Sequence, residues 1–234
     1  PYGKLQVLQT EEQVSLYSNS LLVYSCPDLA ASEESVHFAL LQNPEAKNVL
    51  LVGGGAGGAL SQVLKYPRAE VDYVELDPEI IRFSLQFLPE NEKSLLRNER
   101  VHIYFRDGRA FLSKIQKKYD MIILNLPEPA TAQINRFYTR EFFILAKEKL
   151  TAQGVFSFRV PSAENYISSE LKNFLSSLYQ TLKEVFTFAE VVPGDTNIFL
   201  ASSLPLSIEF EKLSERIEKL NLQNRYVSPQ TLFN

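Results

Sequence analysis

The chain has 234 residues, 45% hydrophobic and 22% charged, with a formal net charge of −4. That fits one globular domain with a small appendage and supplies none of the basic surface that nucleic acid requires. A single cysteine, Cys26, excludes an intrachain disulfide and is expected to be a packing residue. Two histidines beside it leave little basis for a metal site, and no run reaches the ~20 apolar residues of a membrane span.

Three short β-prone stretches open the chain: 4–9 (KLQVLQ), 13–18 (QVSLYS) and 21–25 (LLVYS). Polar or turn residues such as Asn19 and Ser20 split them, which predicts a small antiparallel unit within 1–30. SEESVHFALLQNP (32–44) predicts a helix capped by Ser32 and ended by Pro44. From residue 48 strands and helices alternate. NVLLV (48–52) is a continuous apolar run, as a strand buried on both faces should be, and a helix follows over about 57–66. VDYVEL (71–76) is the next strand; Asp77 caps the helix after it and Pro78 occupies its first turn.

Strand VHIYF (101–105), helix GRAFLSKIQ (108–116), strand YDMIIL (119–124), helix TREFFILAKEKL (139–150) and strand GVFSFRV (154–160) continue the pattern. A helix is expected over 164–182. Strands 184–192 and 197–202 then flank a PGDT hairpin connection. An amphipathic helix (206–221) and a polar tail (222–234) close the chain. The expected fold is α/β, with a mostly parallel Rossmann-like sheet and one antiparallel strand. The expected division is an N-terminal β unit (1–30), a nucleoside-binding core (31–203) and a C-terminal helix and tail (204–234).

The chemistry concentrates in VGGGAGG (52–58). Gly53, Gly55 and Gly58 form a G-x-G-x-x-G pattern between a predicted strand and a predicted helix. With Gly54 and Gly57 they make five glycines in six positions, interrupted only by Ala56. Such a loop lets backbone meet a ligand at a helix start. Glu75 closes the second strand, where a carboxylate can accept both ribose hydroxyls. NAD and S-adenosylmethionine fit these two features equally. Asp107, beside Gly108 at the end of the third strand, can accept the adenine amino hydrogens. The fourth strand ends in Asn125-Leu126-Pro127-Glu128-Pro129. Polar groups on four successive strand ends favour a methyltransferase-type sheet over a dehydrogenase.

The set YGKL (2–5), EESVHF (33–38), LLVGGGAGGAL (50–60), VELDPEII (74–81), RDGRAFL (106–112), YDMIILNLPEP (119–129) and FYTREFF (137–143) resembles the spermidine synthase, or polyamine aminopropyltransferase, family. The resemblance runs from about Tyr2 to Ser202. NRFYTREFF, NYISSE and PGDTNIFLAS resemble its membrane-associated, multidomain branch, in which such a domain is fused to transmembrane helices. That implies a transmembrane region before Pro1 and a location in the cytoplasm or at the cytoplasmic face of a membrane. It further implies a homodimer, and transfer of an aminopropyl group from decarboxylated S-adenosylmethionine to a putrescine-like amine without a metal.

The departures from that family fall on the amine side. Its glycine loop usually reads GGGDGG, with the Asp holding the donor's amine; this chain has Ala56. Its fourth strand usually ends D-x-x-D-P, the first Asp being the base; this chain has Asn125, which cannot act as a base, and then Glu128, the remaining candidate. Its substrate-side tyrosine is replaced by Val36, followed by His37, which as a lone histidine also reads as structural. The tyrosine of its late P-T-Y loop has no counterpart. A charge-assisted hydrogen bond is worth about 1.5–3 kcal/mol, so two lost carboxylates could cost on the order of 10² to 10⁴ in amine affinity. Three readings follow: an aminopropyltransferase-like domain with altered or weakened amine specificity, a methyltransferase using intact S-adenosylmethionine, or a non-catalytic nucleoside sensor of a membrane protein. Elsewhere, His102, Tyr138, Arg140 and the charged stretch 208–219 read as solvation, packing and capping.

Overall fold

The computed structural model describes residues 3–11, 13–127, 129, 131–163 and 168–232. Strands β1 (Leu5–Gln9), β2 (Val14–Ser18) and β3 (Leu21–Cys26) form an antiparallel sheet in that order. Asn19 and Ser20 link β2 to β3 with positive φ of 51° and 67°, the left-handed pair that a tight hairpin requires. Helix α1 (Leu29–Leu40) follows. Its cap is Asp28, not Ser32: the Asp28 carboxylate accepts Ala31 N–H at 3.0 Å. Ser32 lies one turn inside the helix, its hydroxyl donating to Asp28 O at 2.6 Å.

The main sheet has seven strands, β4 (Asn48–Val52), β5 (Glu70–Glu75), β6 (Val101–Phe105), β7 (Tyr119–Leu124), β8 (Leu150–Pro161), β9 (Phe188–Val192) and β10 (Thr196–Ser202). Their order is β6-β5-β4-β7-β8-β10-β9, and β10 runs antiparallel to both its neighbours. The chain therefore winds outward from β4 to β6 and returns to β7. The switch between β4 and β7 opens a crevice at the carboxyl ends of the strands, the place where open α/β sheets bind ligands.

Between the strands lie α2 (Ala59–Val63), α3 (Pro78–Phe87), α4 (Glu90–Leu95), α5 (Gly108–Lys114), α6 (Ala132–Asn135), α7 (Arg140–Lys149) and α8 (Ser169–Val185), and α9 (Phe210–Lys219) closes the fold. Asp77 caps α3 as expected, accepting Glu79 N–H at 3.0 Å. Several boundaries differ from expectation. The helix after the glycine loop shrinks to five residues, because Gly58 takes a φ of 111° that no helix continues through. Helix α8 runs on to Val185, so β9 begins at Phe188 rather than 184. Strand β8 starts at Leu150, directly from the end of α7.

Strand β4 is buried on both faces. Val49 and Leu51 join one core with Tyr73 and Met121, whereas Leu50 and Val52 join the other with Val74 and Ile122. The second core is aromatic-rich; Phe158 stacks on Phe199 with centroids 4.8 Å apart. None of the described helices is long and apolar enough to cross a membrane.

Glu33 on α1 ties down the C-terminal segment. Its carboxylate, 2% exposed, accepts backbone N–H groups of Arg225, Tyr226 (2.7 Å) and Val227 (2.9 Å). Burial pushes this carboxyl up, but the three backbone donors outweigh it and hold it below the usual carboxylate range. The contribution is therefore complete above the unfolded value of about 4.3 and is lost as pH falls through the lowered folded value. Glu33→Gln is expected to cost about 1.5–3 kcal/mol near neutral pH, with the difference from wild type closing in acid. Urea melts of both proteins across that pH range check it.

Candidate functional site

Strand β4 delivers the glycine loop to the crevice. Gly53 N–H donates to Val74 O at 3.0 Å, locking the loop against β5. Gly54 has a φ of 63°, and a Cβ on it would stand 2.6 Å from the carbonyl oxygen of Asn125. A Cβ on Gly55 would stand 2.8 Å from the Tyr73 ring. Those on Gly57 and Gly58 would collide with Tyr24 and Ser32. The loop thus needs glycine first because protein packs against it. Gly53 and Gly54 line a cleft of ≈ 230 Å³, whereas Gly55, Ala56 and Gly58 face away from it and Gly57 faces a neighbouring cavity. Ala56 is buried, with 3% of its surface exposed.

The cleft brings the expected acids together. Glu75, at the end of β5, and Asp107 and Gly108, after β6, line it with Asn125 after β7. Glu75 is buried and held from two sides: it accepts Tyr73 O–H at 3.1 Å and Asp77 N–H at 3.2 Å. Burial, abetted by the Asp77 charge, raises its carboxyl above the usual range against these hydrogen bonds. Asp107 caps α5 through Ala110 N–H at 2.9 Å and gives its other oxygen to the Arg136 guanidinium. Asn125 N–H donates to Val52 O at 2.9 Å, bridging β7 to β4 at the switch point. Its side-chain amide reaches Gly54 O at 3.4 Å, a long contact. Glu128 lies outside the described residues.

His37 and Val36 are not brought to this cleft. Both are fully buried, and His37 sits between Tyr66 O–H (2.9 Å) and Gln62 Oε1 (3.1 Å). Burial pushes the imidazole down to about 4, so it is neutral at physiological pH. Tyr138 packs its ring edge-on against Phe158, and Arg140 pairs with Glu184 at 3.3 Å on the surface. Among the described residues no three His, Cys, Asp or Glu groups cluster in a way that could hold a metal.

Sequence reasoning passed over three residues. Tyr73, inside β5, supports both Gly55 and Glu75. Arg136 neutralises Asp107. Arg159, in β8, lines the neighbouring cavity of ≈ 360 Å³. An arginine within the apolar run GVFSFRV was the available signal for the last.

The chain matches the Spermine/spermidine synthase domain over residues 29–204. It belongs to that family. Among relatives, polyamine aminopropyltransferase 2 of Aquifex aeolicus is 30% identical over 235 aligned residues, 94% of this chain and 46% of that protein. The polyamine aminopropyltransferase of Korarchaeum cryptofilum is 31% identical over 208 residues, 85% of this chain and 63% of its own. The chain thus spans from about half to somewhat under two thirds of these two family members. A crystal structure of spermidine synthase in complex with the transition-state analogue AdoDATO superposes with a TM-score of 0.80 at 21% identity, covering 97% of this chain and 83% of that one. Human methyltransferase-like protein 13 in complex with SAH gives 0.59 at 20% identity, covering 88% and 90%. At these identities the likeness is one of fold.

Packing of the family's glycine loop on Tyr73 predicts that Gly55→Ala costs about 1–3 kcal/mol through overpacking. Gly194→Ala, whose Cβ would find its nearest neighbour at 3.5 Å, should change stability by less than about 0.5 kcal/mol. Thermal or urea unfolding of the two variants checks the contrast.

Proposed function

We propose that the cleft binds the adenosyl part of a sulfonium donor, S-adenosylmethionine or its decarboxylated form, and that the domain transfers an aminopropyl group to a small amine with specificity altered from the family's usual one. One observation carries this reading: Glu75 and Asp107, on adjacent strand ends, line one cleft with Gly53 and Gly54 at the topological switch point. Glu75 would accept the ribose hydroxyls. Asp107 would accept the adenine amino group once Arg136 gives way.

The transfer is a displacement. The lone pair of a neutral amine nitrogen forms the C–N bond at the methylene next to sulfur, the C–S bond breaks, and sulfur keeps the electron pair as the neutral thioether methylthioadenosine. The nitrogen must shed a proton to a base. Asn125 has no basicity, so we assign that role to Glu128 on sequence grounds. We further propose that the domain works as a homodimer and, through a transmembrane region elsewhere in a longer protein, at the cytoplasmic face of a membrane. Methyl transfer from the intact donor is the second reading, favoured by the guanidinium of Arg159 beside the cleft.

Calorimetric titration with methylthioadenosine tests the site. Glu75→Ala should weaken binding at least about 10-fold, the loss of hydrogen bonds to a charged group; unchanged affinity removes the assignment. The raised Glu75 carboxyl adds a pH signature: it protonates earlier in an acid titration, so affinity should start to fall at a pH above the ordinary carboxylate range. In a turnover assay with putrescine, Glu128→Gln should abolish the rate; a retained rate excludes Glu128 as the base.

A further inference from the structure

The cavity beside the nucleoside cleft shares Gly54, Asn125, Leu126 and Pro127 with it as a common wall. Among its described lining residues two carry charge, one of each sign: Asp28 and Arg159. Arg159 lies on β8 just past Phe158, the residue paired with the last position of β7, and so stands at the carboxyl edge of the sheet. Its side chain crosses to the start of α1, where it donates to Ala31 O at 3.3 Å. A guanidinium has five N–H donors in a fixed fork suited to a carboxylate. Among the described residues that contact is the one hydrogen bond the Arg159 side chain makes, and its charge is balanced through space by Asp28 and by Glu34, further along α1. Asp28 spends one oxygen on the helix cap at Ala31 N–H.

We propose that this cavity is a subsite for the amino-acid end of a ligand, with a carboxylate on the free N–H groups of Arg159 and an ammonium turned toward Asp28. The proposal rests on the nucleoside reading of the adjoining cleft. A diamine is expected to bind here more weakly than a zwitterion, because it brings two cations and leaves the guanidinium without an anion. A zwitterion brings one charge for each wall. The carboxylate has two possible sources: the tail of the donor itself, or an amine acceptor that carries one.

Calorimetry with two ligand pairs separates the sources, because the members of each pair differ by one carboxylate. The first pair is intact against decarboxylated S-adenosylmethionine on the free protein. The second is ornithine against putrescine on protein saturated with methylthioadenosine. The carboxylated member is expected to bind on the order of 10- to 100-fold tighter in one pair, and that pair identifies the source. Arg159→Gln should erase the difference and Arg159→Lys should keep part of it, with methylthioadenosine titrations reporting that the cleft of each variant is intact. No preference for the carboxylated member in either pair overturns the subsite, as does a preference that survives Arg159→Gln. Failure of methylthioadenosine to bind the unaltered protein overturns the nucleoside reading and this proposal with it; its binding without any carboxylate preference overturns the subsite alone.

Discussion

No side chain fits between the glycine loop and the ends of β5 and β7, and the site depends on that constraint. Tyr73 fills the space beneath Gly55, and its hydroxyl lies between the Ala56 N–H and the Glu75 carboxylate. Complete burial, reinforced by the Glu75 charge, pushes the phenol well above its ordinary range, so it remains a neutral donor. One buried ring therefore sets the height of the loop and the direction of the acid together. Glu75 needs no cation to hold it; Tyr73 and the Asp77 N–H orient it before any ligand arrives. Fixing a polar group in advance spares the ligand the cost of ordering it.

Asp107 is arranged differently. It carries the cap of α5 and pairs with Arg136, whose side chain is about a third exposed. A partly exposed ion pair of this kind is worth about 0–1 kcal/mol, so exchanging Arg136 for a ligand amine costs little. The cap persists through that exchange, because it uses the other oxygen. Under the proposed nucleoside reading the two acids would divide the work. Glu75 is rigid and unpaired, fit for a ribose whose hydroxyls demand fixed directions. Asp107 is paired and exchangeable.

The sheet was legible because its strands are apolar runs with hard punctuation. The bounds of β4, β6 and β7 agree with the sequence reading residue for residue, since each is a mostly apolar, β-prone stretch, broken only by Asn48, His102 and Asp120. The helix ends were less legible. Asp28 and Ser32 are both good caps one turn apart, and only the fold of β3 into α1 chooses between them. Val185 and Phe186 read as β-prone, yet Val185 continues the Leu178–Leu182 stripe of α8 into the aromatic core. At the site, Gly53, Gly54, Glu75 and Asp107 were legible because strand-end position alone places them at one edge. Tyr73 and Arg159 were not. A tyrosine or arginine within a strand announces neither its face nor its neighbour, and Arg159 gains meaning only where β8 meets α1.

The departures at Ala56 and Asn125 take on physical sense beside Arg159. Ala56 is buried and outside both cavities, so an aspartate in that backbone position would carry a carboxylate into an apolar pocket unless the loop turned it out. Alanine is the residue that this packing tolerates. Asn125 keeps the hydrogen-bonding shape of an aspartate at the switch point without its charge. Removing negative charge there would leave a site merely weakened toward amines. The guanidinium of Arg159 does something further, since with Asp28 it leaves the second cavity with one lining charge of each sign, and under the proposed subsite a carboxylate is favourable there. The neutral amide of Asn125 and the guanidinium of Arg159 line the same cavity, and each leaves its potential less negative than a carboxylate in that place would, which suits a ligand bearing a carboxylate better than one bearing cations alone.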